Sequence, residues 1–322
     1  MSNTLFWTAL VLTFFPFIFV AIDHLLQKSF TTHARGIVLI SGASTGIGRH
    51  AAEYLANNTD LVILAGVRKQ SDADEVTAMK IPNLVPVILD VAVHESSVAA
   101  VKSVQKLMQT NNLPLVAVIN NAGISRRASL EMHDLQDIRY VFETNLFGAL
   151  DLTQLALPLL RQSKGRILMV SSIAGKVGRP LTGAYTGSKF AMEGMSDALR
   201  REVAPMDIAV SIIEPAYVRT PIFDKVLSQV NEGTSSSHIR KDGADLLQHY
   251  TKFVNPQAIE KRKKFLAKAD SPIVTSEAIY HAVTNPRPRT RYPVANFGGI
   301  PAYLLVFALA FIPDGLQDYI LG

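Results

Sequence analysis

Ile37-Val-Leu-Ile-Ser-Gly-Ala-Ser-Thr-Gly-Ile-Gly48 sets the architecture. Four aliphatic residues in a row read as a short strand buried on both faces. The glycines at 42, 46 and 48 follow at once and open a helical stretch. Glycines there permit a tight turn and let backbone N–H groups approach a pyrophosphate at a helix N-terminus, where the helix dipole favours anions. Gly42, Ser44, Thr45, Gly46, Ile47 and Gly48 are therefore candidate dinucleotide-binding residues. The spacing is Gly-x-x-x-Gly-x-Gly, distinct from the Gly-x-Gly-x-x-Gly fingerprint.

Outward from this loop the pattern repeats. Leu61–Leu64, Val85–Leu89, Leu115–Ile119, Arg166–Val170 and Ile208–Ile213 are further apolar runs followed by helical stretches, six βα repeats in all. Continuous rather than alternating apolar strands belong to a parallel sheet covered by helices on both faces. The expected fold is α/β: a Rossmann-like, doubly wound parallel sheet flanked by helices, forming a single catalytic domain. Its core is expected over residues 36–222. Residues 223–322 then supply a substrate lid, a late helix over Ser276–Thr284, an edge strand Arg291–Val294 carrying Pro293, and an apolar tail.

The chain has 322 residues, 48% hydrophobic and 18% charged, with a formal net charge of +5. Disordered and fibrous classes are excluded, and no long basic block favours nucleic acid. There is no cysteine, so thiolate catalysis and cysteine-ligated metals are out. The eight histidines show no metal-ligand spacing, and no metal is expected. Asp23 is the first charged residue. The apolar run Leu5–Ile22 would rise about 27 Å as a helix, close to the thickness of a bilayer core. A membrane anchor over residues 1–26 is expected, and Lys28 and Arg35 behind it place the remainder in the cytosol. Ile300–Ile312 is too short to span and reads as either a core helix or an interfacial helix. Lys261-Arg-Lys-Lys264 reads as a solvated helix face, with acidic lipid head groups as the alternative.

The glycine spacing resembles that of the short-chain dehydrogenase/reductase family, and further motifs extend the resemblance over residues 36–222. Asn120-Asn-Ala-Gly123, Asp90-Val91, Asn145 within Thr144-Asn-Leu-Phe-Gly148, Ser171-Ser172 and Tyr185-Thr-Gly-Ser-Lys189 are similar to its motifs. Ser172 precedes Tyr185 by 13 residues and Tyr185 precedes Lys189 by 4, the family's spacings. Glu214-Pro-Ala-Tyr-Val-Arg-Thr220 matches its Pro-Gly loop, with Ala216 in place of glycine. The resemblance implies Asn145, Ser172, Tyr185 and Lys189 as catalytic residues. It also implies cofactor contacts from Asp90, Val91, Asn120, Asn121, Tyr185, Lys189, Val218 and Thr220. After residue 222 the chain resembles, more loosely, the membrane-anchored retinol and hydroxysteroid dehydrogenase branch. That implies lipid metabolism at a membrane, the endoplasmic reticulum being expected with the catalytic domain facing the cytosol, and homo-oligomers.

The residue types suit hydride transfer between a nicotinamide and a carbonyl carbon. Tyrosine ionises near pH 10, about three units too high for an efficient base at neutrality. An ammonium at i+4 on the same helix face is expected to lower it. Ser172 can hydrogen-bond the reacting oxygen. Cofactor choice is read from the end of the second strand. Gly66 stands where NAD-preferring folds carry an acid, and Arg68 and Lys69 follow. NADP is expected, with NAD as the alternative. Ile222, Phe223, Val226, Leu227 and Val230 at helical spacing read as an apolar lid, so the expected substrate is a hydrophobic alcohol or ketone. A soluble reductase of small carbonyls and an idle dinucleotide-binding scaffold are the alternatives.

Overall fold

The structure is a computed structural model that describes residues 28–221, 239–240, 243–309 and 311–321. The expected anchor over residues 1–26 and the expected lid side chains at 222, 223, 226, 227 and 230 lie outside the described residues. Among the described residues no helix is long and apolar enough to cross a membrane.

Strand β1 (Ile37–Ile40) leads through the glycine loop into α1 (Gly46–Asn58). Then come β2 (Val62–Val67), α2 (Gln70–Ala78), β3 (Leu84–Ile88), α3 (His94–Asn111) and β4 (Leu115–Asn120). Helix α4 (Leu135–Phe142) runs through a π-helical turn, Glu143–Phe147, into α5 (Gly148–Ser163). Next are β5 (Arg166–Val170), α6 (Gly183–Val203) and β6 (Ala209–Pro215). The last part comprises α7 (Thr251–Val254), α8 (Pro256–Leu266), α9 (Ile273–Thr284), β7 (Arg291–Val294), the small hairpin β8 (Asn296–Phe297) and β9 (Ile300–Pro301), α10 (Ala302–Leu309) and α11 (Asp314–Leu321).

Seven strands form one parallel sheet in the order β3-β2-β1-β4-β5-β6-β7. The order reverses between β1 and β4, and the carboxyl ends of these strands flank the crevice where such folds hold ligands. Strand β1 is wholly buried and splits its side chains between two cores. Val38 and Ile40 pack with α1, α2 and α9, whereas Ile37 and Leu39 pack with α3, α5 and α6. This two-sided burial is why the strands read as unbroken apolar runs. Strand β7 is an edge strand as expected. Pro293 sits in it beside Glu214, where a missing N–H costs no ladder bond on the outer side.

The apolar tail is not a core helix. In α10 only Ala302 is buried; Tyr303, Phe307 and the following Phe311 are 58%, 60% and 73% exposed. Arg166, by contrast, is almost completely buried at the start of β5. Its guanidinium donates to the carbonyls of Ala282 (2.6 Å), Asn285 (2.7 Å) and Thr31 (3.0 Å). Burial lowers its pKa to about 10.

Candidate active site

The glycine loop packs tightly. Gly42 and Gly46 have φ of +68° and +62°, which L side chains rarely adopt. A Cβ on Gly42 would come within 2.7 Å of Ala122 Cα, and one on Gly48 within 2.3 Å of Asn121 Nδ2. Asn121 explains the closeness: Nδ2 donates to the Ser41 and Gly42 carbonyls at 3.0 Å each. Ser41 Oγ in turn accepts from the Asn121 and Ala122 N–H groups. Thr45 caps α1 without a side-chain hydrogen bond, so it leaves the first helical N–H groups free of a side-chain cap from its hydroxyl. A side chain at 46 would meet Thr220 at 3.3 Å, which brings the loop after β6 over the glycine turn. Bare backbone donors, enforced absence of Cβ atoms and a helix N-terminus fit a pyrophosphate.

Other expected cofactor residues divide. Asp90 turns its carboxylate back on Ala92 N–H (3.1 Å), and its own N–H donates to Ser96 Oγ (2.9 Å). Val91 is buried beneath Gly148, whose Cβ would meet the Val91 carbonyl at 2.3 Å. Asn120 points into the core and donates to Thr153 Oγ1 at 2.8 Å, joining β4 to α5. Val218 is buried, and its loop is pinned by Arg219 N–H to the Asp270 carbonyl (2.7 Å) and Asp270 N–H to the Tyr217 carbonyl (3.0 Å). Ala216 donates its N–H to Val294 and has no positive φ, so its methyl is accommodated.

Gly66 differs from expectation. It lies within β2, and a Cβ there would meet the Ile40 carbonyl at 2.8 Å and Leu89 Cδ2 at 2.9 Å. An acidic side chain does not fit at 66 without displacing the Ile40 carbonyl and Leu89. The Gly66 carbonyl accepts from Ala43 N–H (2.8 Å), so Arg68, two residues on and exposed, leaves the sheet beside the glycine loop.

The four expected catalytic residues converge. Asn145 is fully buried in the π-helical turn, where one extra residue widens the helix. Its Oδ1 accepts from Ile124 N–H (2.7 Å), and its Nδ2 donates to the Ile124 carbonyl and to Ser188 Oγ (3.0 Å each). A Cβ on Gly123 would lie 3.3 Å from Asn145 Oδ1 and 3.7 Å from Lys189 Nζ, so this glycine marks where the two side chains meet. Ser172 Oγ accepts from Ala174 N–H (3.1 Å) and donates to the Pro215 carbonyl (3.4 Å), and Ser172 is near enough to the Tyr185 phenol to pull its pKa down. Lys189 is buried in α6, donates to the Val170 carbonyl (2.8 Å) and lies 5.8 Å from the Tyr185 ring centre.

Electrostatics depart from the sequence expectation. Burial pushes the Tyr185 phenol up, and Ser172 and Arg127 pull it down. Burial also lowers Lys189 to about 8, against the raising field of Glu193. Desolvation is the largest influence on both groups. Sequence reasoning missed Arg127 and Tyr217, both within electrostatic reach of Tyr185. Each lies near a motif, Arg127 after Asn120–Gly123 and Tyr217 inside Glu214–Thr220, but no spacing distinguished them.

A doubly wound sheet with this loop and this Ser–Tyr–Lys grouping defines a dinucleotide-dependent type of α/β oxidoreductase. The short chain dehydrogenase family model matches residues 36–231, and the chain belongs to that family. It is 32% identical over 287 residues to "Retinol dehydrogenase 16" of Rattus norvegicus, covering 87% of this chain and 86% of that protein. It is 31% identical over 291 residues to "17-beta-hydroxysteroid dehydrogenase type 6" of Bos taurus, covering 88% and 87%. A short-chain dehydrogenase structure from Streptomyces avermitilis shares the fold, with a TM-score of 0.69 and 23% identity, covering 89% of this chain and 97% of that one. The protein is thus an oxidoreductase acting on CH–OH donors, in a family that implies a nicotinamide dinucleotide.

Proposed function

We propose that the protein interconverts a bulky hydrophobic alcohol and its carbonyl at a membrane, using NADP in preference to NAD. When bound, the nicotinamide supplies or accepts the hydride. Tyr185 transfers the proton to or from the substrate oxygen, and Ser172 holds that oxygen by a second hydrogen bond. Lys189 contributes positive charge beneath the ring and a donor for a ribose hydroxyl. Asn145 fixes the backbone at Ile124, next to Gly123. Gly42–Gly48, Asn121 and Thr220 form the phosphate cradle, and Arg68 offers a guanidinium for a 2′-phosphate.

The observation that carries the reading is the nearness of Ser172 to the Tyr185 phenol, with Lys189 under the same ring. The names of the relatives, a retinol and a hydroxysteroid dehydrogenase, support a retinoid- or steroid-like alcohol. Membrane attachment rests on the uncharged run Leu5–Ile22 and the outward apolar side chains of α10.

The test is Tyr185→Phe, assayed with retinol and a 17β-hydroxysteroid and each cofactor. Turnover is expected to fall at least about 100-fold, with dinucleotide affinity retained. Near-normal turnover in the purified variant would overturn the reading.

A further inference from the structure

Ser172 follows β5 and caps the short turn Ile173–Gly175, which Lys176 closes. The turn is tight: Gly175 N–H donates to the Ser172 carbonyl (2.8 Å) and Lys176 N–H to the Ile173 carbonyl (3.0 Å). It also packs directly on α6. A Cβ on Gly175 would lie 3.0 Å from Glu193 Cγ, 3.2 Å from the Lys189 carbonyl and 2.9 Å from Ser171 Oγ. Whatever holds Lys176 therefore bears on where Ser172 stands.

The Lys176 side chain makes two contacts beyond the turn. Its Nζ donates to Glu193 Oε2 on α6 at 2.8 Å and lies 3.2 Å from Glu214 Oε1 in β6. Both carboxylates are buried, Glu214 completely. Arg291, from β7, meets the same two, with Nη2 3.3 Å from Glu193 Oε2 and Nε 3.1 Å from Glu214 Oε1. A buried ion cluster is weak evidence for stability, because desolvation offsets most of the attraction. Its connectivity is more informative. Glu214 is followed by Pro215, whose carbonyl accepts from Ser172 Oγ at 3.4 Å. The contacts thus close a ring: Ser172, the turn, the Lys176 ammonium, Glu214, Pro215 and back to the Ser172 hydroxyl. The Ser172–Pro215 bond is long for O–H···O and holds weakly by itself. The Glu214 carboxylate has no directed hydrogen bond among the described residues, so charge closes the ring at that point.

We infer that Lys176 is a positioning residue for Ser172: by tying the turn to Glu193 on α6 and to Glu214 at the end of β6, it fixes the Ser172 hydroxyl beside the Pro215 carbonyl. The inference rests on the role of Ser172 proposed above, and its first measurement needs no turnover.

That measurement is amide hydrogen exchange, read by NMR in the full-length, ligand-free protein. Ala174 N–H donates to Ser172 Oγ and reports its place. Lys176→Met is expected to speed exchange at Ala174 at least about tenfold, while Ile119 and Leu168 in the sheet keep their rates. Lys176→Arg, which keeps the charge, should restore most of the protection. Glu214→Gln opens the same ring from its other side and is judged by the same criterion if Lys176→Met does not fold. An unchanged Ala174 rate, or a matching rise at Ile119 and Leu168, overturns the inference. The second measurement is turnover. Lys176→Met should lower kcat about tenfold with dinucleotide affinity unchanged, and should cost nothing further in a Ser172→Ala background. Where Ser172→Ala itself lowers turnover, an equal loss from Lys176→Met in that background, or no loss in the wild-type background, overturns the inference. A harmless Ser172→Ala would count against the proposed function and leave exchange at Ala174 to decide the role of Lys176.

Discussion

The Lys189 ammonium sits 5.8 Å from the centre of the Tyr185 ring and spends a hydrogen bond on the Val170 carbonyl. Its charge is buried before any ligand arrives, and the ligand-free fold is thereby destabilised. With a folded pKa of about 8 against the ordinary 10.5, the folded state binds fewer protons than the unfolded state between those values. The group's contribution to stability therefore rises as pH rises from about 8 to 10.5, and the full cost is present below 8. Lys189→Met is expected to stabilise the ligand-free protein by roughly 1–3 kcal/mol at pH 7 while abolishing turnover. Thermal unfolding at pH 7 and pH 10.5 checks this, since the gain should shrink at the higher value. A loss of stability at pH 7 would mean the Val170 hydrogen bond outweighs desolvation.

Arg127 is expected to hold the Tyr185 phenol down. Arg127→Leu should move the alkaline rise of alcohol oxidation to higher pH. The pH profile of kcat/KM in the two proteins decides the point, and coincident profiles would remove Arg127 from the site.

Cofactor choice turns on Arg68. Arg68→Ala should weaken NADP more than NAD by roughly 1.5–3 kcal/mol, the scale of a hydrogen bond to a charged group. An acid introduced at Gly66 would instead collide with Ile40 and Leu89 and cost stability. Reversal of preference should be sought through Arg68→Glu, which exchanges attraction for repulsion. Fluorescence titration of both cofactors tests the series; equal losses for the two would reduce Arg68 to a support for the turn.

Removing residues 1–26 should release the protein from carbonate-washed membranes while leaving dinucleotide binding intact. A shortened protein that still pellets would transfer the attachment to the exposed aromatic and aliphatic side chains of α10.

The sheet was legible because buried parallel strands must be apolar on both faces. β1, β5 and β7 fall at their expected residues, and the others within a few positions. The Ser172, Tyr185 and Lys189 grouping was legible because a helix fixes what stands at i+4 and the motif fixes the rest. The tail stayed open between a core and an interfacial helix: composition shows that Tyr303 and Phe307 are apolar, but only packing shows that nothing described covers them. The Glu193–Lys176–Glu214–Arg291 cluster was invisible, since its members come from four separate parts of the chain and each reads alone as a surface charge. The balance between field and desolvation at Tyr185 was equally hidden, because sequence spacing carries no information about solvent.

Arg166 fastens Thr31 to the amino-terminal end of the sheet, and Lys28, His33 and Phe30 reinforce it through Ala204, Ser163 and Pro286. The polypeptide therefore joins the domain at the pole opposite the glycine turn and Tyr185. A pull or a tether applied ahead of residue 28 would load that pole and leave the cleft slack. Immobilised on a bead through its leading end, the enzyme should present its cleft to the bulk solution and keep its affinity for dinucleotide.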